Sequence, residues 1–138
     1  MIPETSVKIK YYLIIDDVFA LATSGRVSET LALDLLRYFP METEWAPVKT
    51  ASTSLSFIGF MLTGRPGSRL FKKYMLDQFS PLIDRVGFRD TGSYQEKMVR
   101  SVVLEVAVVY NHTTSVRTAK SMYNAWMRKG ERIPTNLR

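Results

Sequence analysis

The chain is predicted to be all-α, a set of stacked antiparallel helix pairs of the irregular HEAT-like or α-solenoid kind. Apolar residues recur at three- and four-residue intervals over most of the length, which is the helical period and not the alternation of a half-buried strand. Helix starters and breakers (Ser28, Pro47 and Ser93; Gly25, Gly64 and Gly130) fall between the apolar runs. With 138 residues and 46% hydrophobic composition, residues 1–138 are enough for a single core and one domain. No strict repeat is visible, but irregular helix pairs need only a suitable apolar stripe.

A first helix carries Ile15, Val18, Phe19 and Ala22 and stops at Gly25, which takes a left-handed position without a Cβ penalty. Ser28 is a good N-cap for a second helix with Leu31, Leu35, Leu36 and Phe39, ended by Pro40. Pro47 suits the first turn of a third, where its missing N–H is no loss, and Ala51, Leu55, Ile58 and Leu62 continue that helix to Gly64. After a break at Gly64, Pro66 and Gly67, Ser68 is predicted to cap a fourth helix with Leu70, Phe71, Tyr74, Met75 and Phe79. Pro81 is expected to kink or interrupt it, by clash with the Asp77 carbonyl, before Leu82, Ile83 and Val86 complete the stripe.

Residues 87–92 read as a loop, and Ser93 with Glu96 forms a capping box opening a fifth helix. Its Val99, Val102, Val103, Val106 and Ala107 include many β-branched side chains, yet the spacing and the cap favour a buried helix over a strand. A last helix runs from about Thr114 through Ala119, Met122, Tyr123 and Trp126 to Gly130.

Absence of cysteine excludes disulfides and thiolate metal sites without fixing a compartment. No run is long enough for a membrane span, and the first residues, interrupted by Pro3, Glu4, Lys8 and Lys10, are not expected to form a signal peptide. The net charge of +6 is uneven: five Lys/Arg face seven Asp/Glu in residues 1–64, and fourteen face six in 65–138. The second-half cations, including Lys97 and Arg100 between Glu96 and Glu105, are scattered and read as solvated helix faces. No nucleic-acid module accompanies them, which disfavours a nucleic-acid partner.

No Gly-rich phosphate loop, Ser-His-Asp set or cysteine nucleophile can be assembled. Asp16 and Asp17 are adjacent, hence about 100° apart on a helix, and make a poor acid–base pair; one is expected to cap or pair with a cation and the other to face solvent. The single histidine, His112, reads as a solvent-facing loop residue. Asn111-His112-Thr113 matches the N-glycosylation acceptor pattern, with Asn111 the modified residue if the parent enters the secretory pathway. Tyr123 and Trp126 read as core and not as a ligand box. On residues alone, then, catalytic, metal and cofactor-binding side chains number none.

Leu13-Ile14-Ile15-Asp16-Asp17-Val18-Phe19-Ala20-Leu21-Ala22 followed by Gly25, the stretch Ala32-Leu33 through Glu42, Glu44, Trp45 and Pro47, the run Val99-Arg100-Ser101-Val102-Val103-Leu104, Trp126, and Ile133-Pro134-Thr135-Asn136-Leu137-Arg138 together resemble the C-terminal helical domain of the aminopeptidase N family of zinc metallopeptidases, which includes the endoplasmic-reticulum aminopeptidases. Val48 departs from the pattern, where the family usually has tryptophan. So do Val108 and Ser115, near which some extracellular members place a cysteine pair.

The resemblance implies a truncated first part of that domain, in a parent that removes N-terminal amino acids from peptides and is extracellular, membrane-anchored or lumenal. It implies a noncatalytic role, covering the active site and shaping a peptide chamber. The implied partners are the parent's catalytic domain, which holds the zinc, then peptide substrate and, as in some members, a second subunit. The family's H-E-x-x-H zinc motif cannot be supplied by one histidine, and its Gly-Ala-Met-Glu-Asn substrate motif is missing, Gly59-Phe60-Met61-Leu62-Thr63 bearing only a superficial likeness. The rival reading is a free-standing helical-repeat module whose basic face binds an acidic protein.

Overall fold

A computed structural model describes residues 4–138, with side chains from Lys10 onward, so the opening Pro3, Glu4 and Lys8 lie outside what is described side chain by side chain. Among the described residues there is no strand. Six α-helices are formed: α1 (Glu4–Thr23), α2 (Glu29–Leu35), α3 (Trp45–Met61), α4 (Ser68–Val86), α5 (Tyr94–Val109) and α6 (Thr113–Lys129). Two 3-10 segments, Leu36–Met41 and Thr135–Leu137, complete the order.

The end of α1 is built as expected. Gly25 has φ +72°, its N–H donates to Ala22 O at 2.9 Å, and the Arg26 N–H donates to Leu21 O at 2.9 Å, satisfying two carbonyls the helix leaves open. Ser28 caps α2, its Oγ accepting from the Leu31 N–H at 3.2 Å. That helix does not continue as one α-helix to Pro40. It tightens at Leu36 into the 3-10 turn, which contains Pro40, because an α-helical path would press the pyrrolidine ring against the Leu36 carbonyl.

Pro47 lies in the first turn of α3 and is buried there. Two expectations about α4 need correction. Its N-cap is Gly67 at φ +95°, not Ser68, which is already the first helical residue. The helix then runs unbroken across Pro81, with Phe79, Leu82 and Ile83 buried on either side of it. One missing hydrogen bond is outweighed by an apolar face held in place above and below the proline.

α5 is the central helix. It packs against α3, α4, α6 and the C-terminal 3-10 turn. The face turned to these neighbours buries Val99, Val102, Val103, Leu104, Val106 and Ala107, so β-branched side chains are accommodated in a helix by tertiary packing. α1 lies against α3 and α2, and α4 against the first 3-10 turn. One apolar cluster joins α1 to α5, with Phe39 and Phe79 at its centre, ring centroids 5.0 Å apart. Leu31 and Leu70, placed on apolar stripes by their spacing, stay on the surface instead.

A close helix approach explains Gly59. A Cβ added there would fall on the Tyr110 hydroxyl and lie 3.2 Å from Phe71 Cε1. Alanine in a helix is worth about 1 kcal/mol over glycine, whereas overpacking costs about 1–3 kcal/mol, so Gly59→Ala is expected to destabilise on balance. Adding Tyr110→Phe removes the obstructing hydroxyl and should recover part of the loss. Urea unfolding of the single and double variants checks this, and equal or higher stability of Gly59→Ala alone would refute it.

Candidate functional site

Several motif-bearing residues gather at the 87–93 loop between α4 and α5. Arg100 is buried at 5% exposure. Its Nε donates to Val86 O at 2.9 Å and its Nη2 to Thr91 O at 2.8 Å, so the guanidinium closes the C-terminus of α4 and pins the loop. A planar fork with several donors suits two divergent carbonyls, and a cation at a helix C-terminus is favoured by the dipole. The reading of Arg100 as a solvated cation is therefore corrected. Its carbonyl partners come from another helix and a loop, and spacing along α5 carries no sign of them.

Beside it, Asp90 Oδ1 accepts from Asn136 Nδ2 at 2.8 Å and lies 3.5 Å from Lys97 Nζ. The Asn136 hydrogen bond, then the Lys97 and Arg100 cations, hold the Asp90 carboxyl below its ordinary 3.8. Asn136 belongs to the Ile133–Arg138 run, so this bond ties that run to the loop. At the capping box, the Glu96 N–H donates to Ser93 Oγ at 3.2 Å and the Ser93 N–H to Glu96 Oε2 at 2.6 Å. Those Ser93 bonds hold Glu96 below its ordinary 4.5.

Both carboxyls have folded-state pKa values below their unfolded ones. Their stabilisation is complete above the ordinary values and is lost as pH falls through the lowered folded values. The urea midpoint is expected to decline on acidification through that range, and less steeply in a Glu96→Gln, Asn136→Ala variant, which removes one titrating carboxyl and the main bond to the other. Parallel declines would contradict the assignment.

The acidic stretch behaves likewise. Glu42 Oε1 accepts from the Thr43 and Glu44 N–H groups at 2.7 and 2.8 Å, the Arg85 guanidinium donates to the Glu42 carbonyl, and Gln95 Nε2 donates to the Glu44 carboxylate. These bonds fasten the entry of α3 to α4 and α5. A crevice of about 410 Å³ opens beside them, lined by Tyr11, Tyr38, Glu42, Thr43, Glu44 and Pro47. Burial, followed by the nearby Glu42 and Tyr11, pushes the Tyr38 hydroxyl up to about 12, so it stays protonated and is no acid–base group near neutrality.

At the corner between α5 and α6, Asn111 is exposed with φ +60°. Its N–H donates to Val108 O at 3.1 Å and the His112 N–H to Ala107 O at 2.7 Å, a left-handed end like that of α1. His112 is not a loop residue facing solvent: it is the half-buried N-cap of α6, its Nδ1 2.9 Å from the Oγ of fully buried Ser115. Asp16 and Asp17 are both exposed, and among the described residues neither forms the ion pair expected of one of them. Tyr123 and Trp126 are not core either, being 53% and 46% exposed with rings edge to face at 5.8 Å.

None of these places brings a nucleophile, a base and an electrophilic donor together. No group of three or more His, Cys, Asp or Glu among the described residues is placed to hold a metal ion, and the lone imidazole is committed to Ser115, so the residues present do not fit a zinc site. No helix among the described residues is long and apolar enough to cross a membrane.

A helical packing unit whose motif residues act as structural ties is the class these features define. A family model described as ERAP1-like C-terminal domain matches residues 9–138, and the chain belongs to that family. Glutamyl aminopeptidase of Rattus norvegicus is 34% identical over 125 residues, covering 90% of this chain and 13% of that protein. Endoplasmic reticulum aminopeptidase 2 of Homo sapiens is 32% identical over 129 residues, again 90% of this chain and 13% of the relative. Aminopeptidase N of Plutella xylostella is 30% identical over 112 residues, 79% of this chain and 12% of the relative. The chain thus spans about an eighth of the length of the relatives it matches.

Proposed function

We propose that this chain is a noncatalytic segment of the C-terminal domain of a zinc aminopeptidase, an enzyme removing N-terminal amino acids from peptides. In this reading residues 1–138 form a single partial domain, the first layers of an irregular HEAT-like α-solenoid. They pack on the parent's catalytic domain, which holds the zinc, cover the active site and shape the peptide chamber; peptide and a second copy of the chain are further partners. The parent works outside the cell or in a lumen, as the name of the endoplasmic reticulum relative suggests.

The observation that carries the reading is the family match over residues 9–138 to a domain of aminopeptidases. It agrees with a set of motif residues, Arg100, Glu42, Glu44 and Asn136, that bond to backbone and neighbouring helices. The test has two parts. The purified chain, supplied with zinc, is expected to leave aminoacyl-anilides unhydrolysed, and the transcript upstream is expected to encode H-E-x-x-H in frame. Turnover by the chain alone, or an upstream frame without that motif, overturns the proposal.

One surface favours a second reading, a helical-repeat module that binds an acidic protein. α6 carries Arg117, Lys120, Arg128 and Lys129 and no acidic residue, next to the exposed Tyr123, Trp126 and Met127. Saturable, salt-sensitive binding of the isolated chain to one acidic protein would support it.

A further inference from the structure

We propose that Asn111 is an N-glycosylation site, and that the first sugars of its glycan lie along the outer face of α6. The proposal rests on the lumenal or extracellular compartment of the reading above. The acceptor triplet Asn111-His112-Thr113 is short enough to arise by chance. What the structure adds is that the fold makes no use of the two side chains the modification requires.

Asn111 serves the left-handed corner through its backbone, a position glycine would fill with less strain, and its carboxamide hydrogen-bonds to nothing among the described residues. Thr113 is the first residue of α6, but the capping position belongs to His112, and the Thr113 hydroxyl is likewise without a hydrogen-bond partner among the described residues. Both are exposed, at a corner where an added group displaces no packed side chain. The third member, His112, turns inward to Ser115 and leaves the outer side open.

Asn111 also stands at the rim of an open groove of about 530 Å³, lined further by Thr113, Arg117, Lys120, Ser121 and Asn124. Guanidinium, ammonium, hydroxyl and amide groups are suited to the hydroxyls and acetamido carbonyls of N-acetylhexosamines. An attached chain leaving Asn111 toward α6 therefore meets donors at successive helical turns.

In the transfer, catalysed by a membrane oligosaccharyltransferase, the Asn111 Nδ2 attacks the anomeric carbon of a polyisoprenoid-pyrophosphate-linked oligosaccharide. An N–C bond forms and the C–O bond to pyrophosphate breaks. The lipid pyrophosphate leaves with that electron pair, and the proton lost from Nδ2 passes to a base of the transferase. Nothing is oxidised or reduced.

The test expresses the full 138-residue chain behind a cleavable signal peptide in animal cells, with a known acceptor triplet appended after Arg138 to report entry into the lumen. Wild-type chain is expected to carry two glycans removable by peptide-N-glycosidase, with Asn111 converted to aspartate in the released peptide. Asn111→Gly, which keeps the left-handed corner, and Thr113→Ala should each lose one mobility shift, while Thr113→Ser retains it. A glycosylated reporter with unmodified Asn111 overturns the proposal, and does so separately from the aminopeptidase reading, which the upstream frame decides. Amide hydrogen exchange in α6 is expected to be slower with the glycan than after its enzymatic removal; equal exchange overturns the placement of the sugars.

Discussion

Arg100→Met is expected to lower folding stability by about 2–4 kcal/mol, since two partly buried hydrogen bonds to carbonyls are lost from a buried guanidinium, at about 1–3 kcal/mol apiece. The sum is not reached in full. Arg100 Nη1 is buried without a hydrogen-bond partner among the described residues, so removing the guanidinium also removes a desolvation cost already present in the folded state. Methionine replaces much of the aliphatic stem, which confines the loss to the hydrogen bonds at Val86 O and Thr91 O. Arg100→Lys should recover little, because a single ammonium does not span both carbonyls as a fork does. Urea unfolding at neutral pH, with amide exchange across residues 87–93, provides the measurement. A midpoint unchanged in the methionine variant, or a fully restored one in the lysine variant, would show that the guanidinium holds nothing.

Phe79→Ala is expected to cost more, about 3–5 kcal/mol, the range for deleting an aromatic ring from a closed core. Phe79 has no exposed surface and packs against Phe39, itself fully buried in the 3-10 turn. The cavity would open where α4 meets that turn, and Pro81, two residues on, would lose part of the packing that carries α4 past it. Phe60→Ala serves as the control: at 74% exposure it should stay within about 0.5 kcal/mol of wild type. Thermal unfolding in which both phenylalanine variants melt together would mean that the centre of the core lies elsewhere.

Much of the fold was legible because its signals are local. Gly25 and the Ser93–Glu96 pair mark helix ends through bonds made within a few residues, and both are formed as read. Ser68 misleads because Gly67, the residue before it, takes up the left-handed conformation that opens α4. Pro81 misleads in the opposite direction: the local penalty is real, but buried neighbours on both sides outweigh it. Trp126 and Tyr123 have helical spacing and apolar character, yet spacing defines only a face, and whether a face is covered depends on what packs there.

By itself the sequence determined that the chain is helical, most of the places where its helices begin and end, though not the early close of α2 at Leu35, and that one histidine and no cysteine cannot assemble the family's metal site. Those conclusions follow from bonds between near neighbours and from a count of side-chain types. Only the tertiary structure decided which of many cations is buried, that His112 turns inward to Ser115, and that Asn111 and Thr113 are left facing solvent. The Val86 and Thr91 carbonyls reach Arg100 across fourteen and nine residues of chain. Burial and pairing of this kind arise when separate helices meet, and no window along one helix contains them.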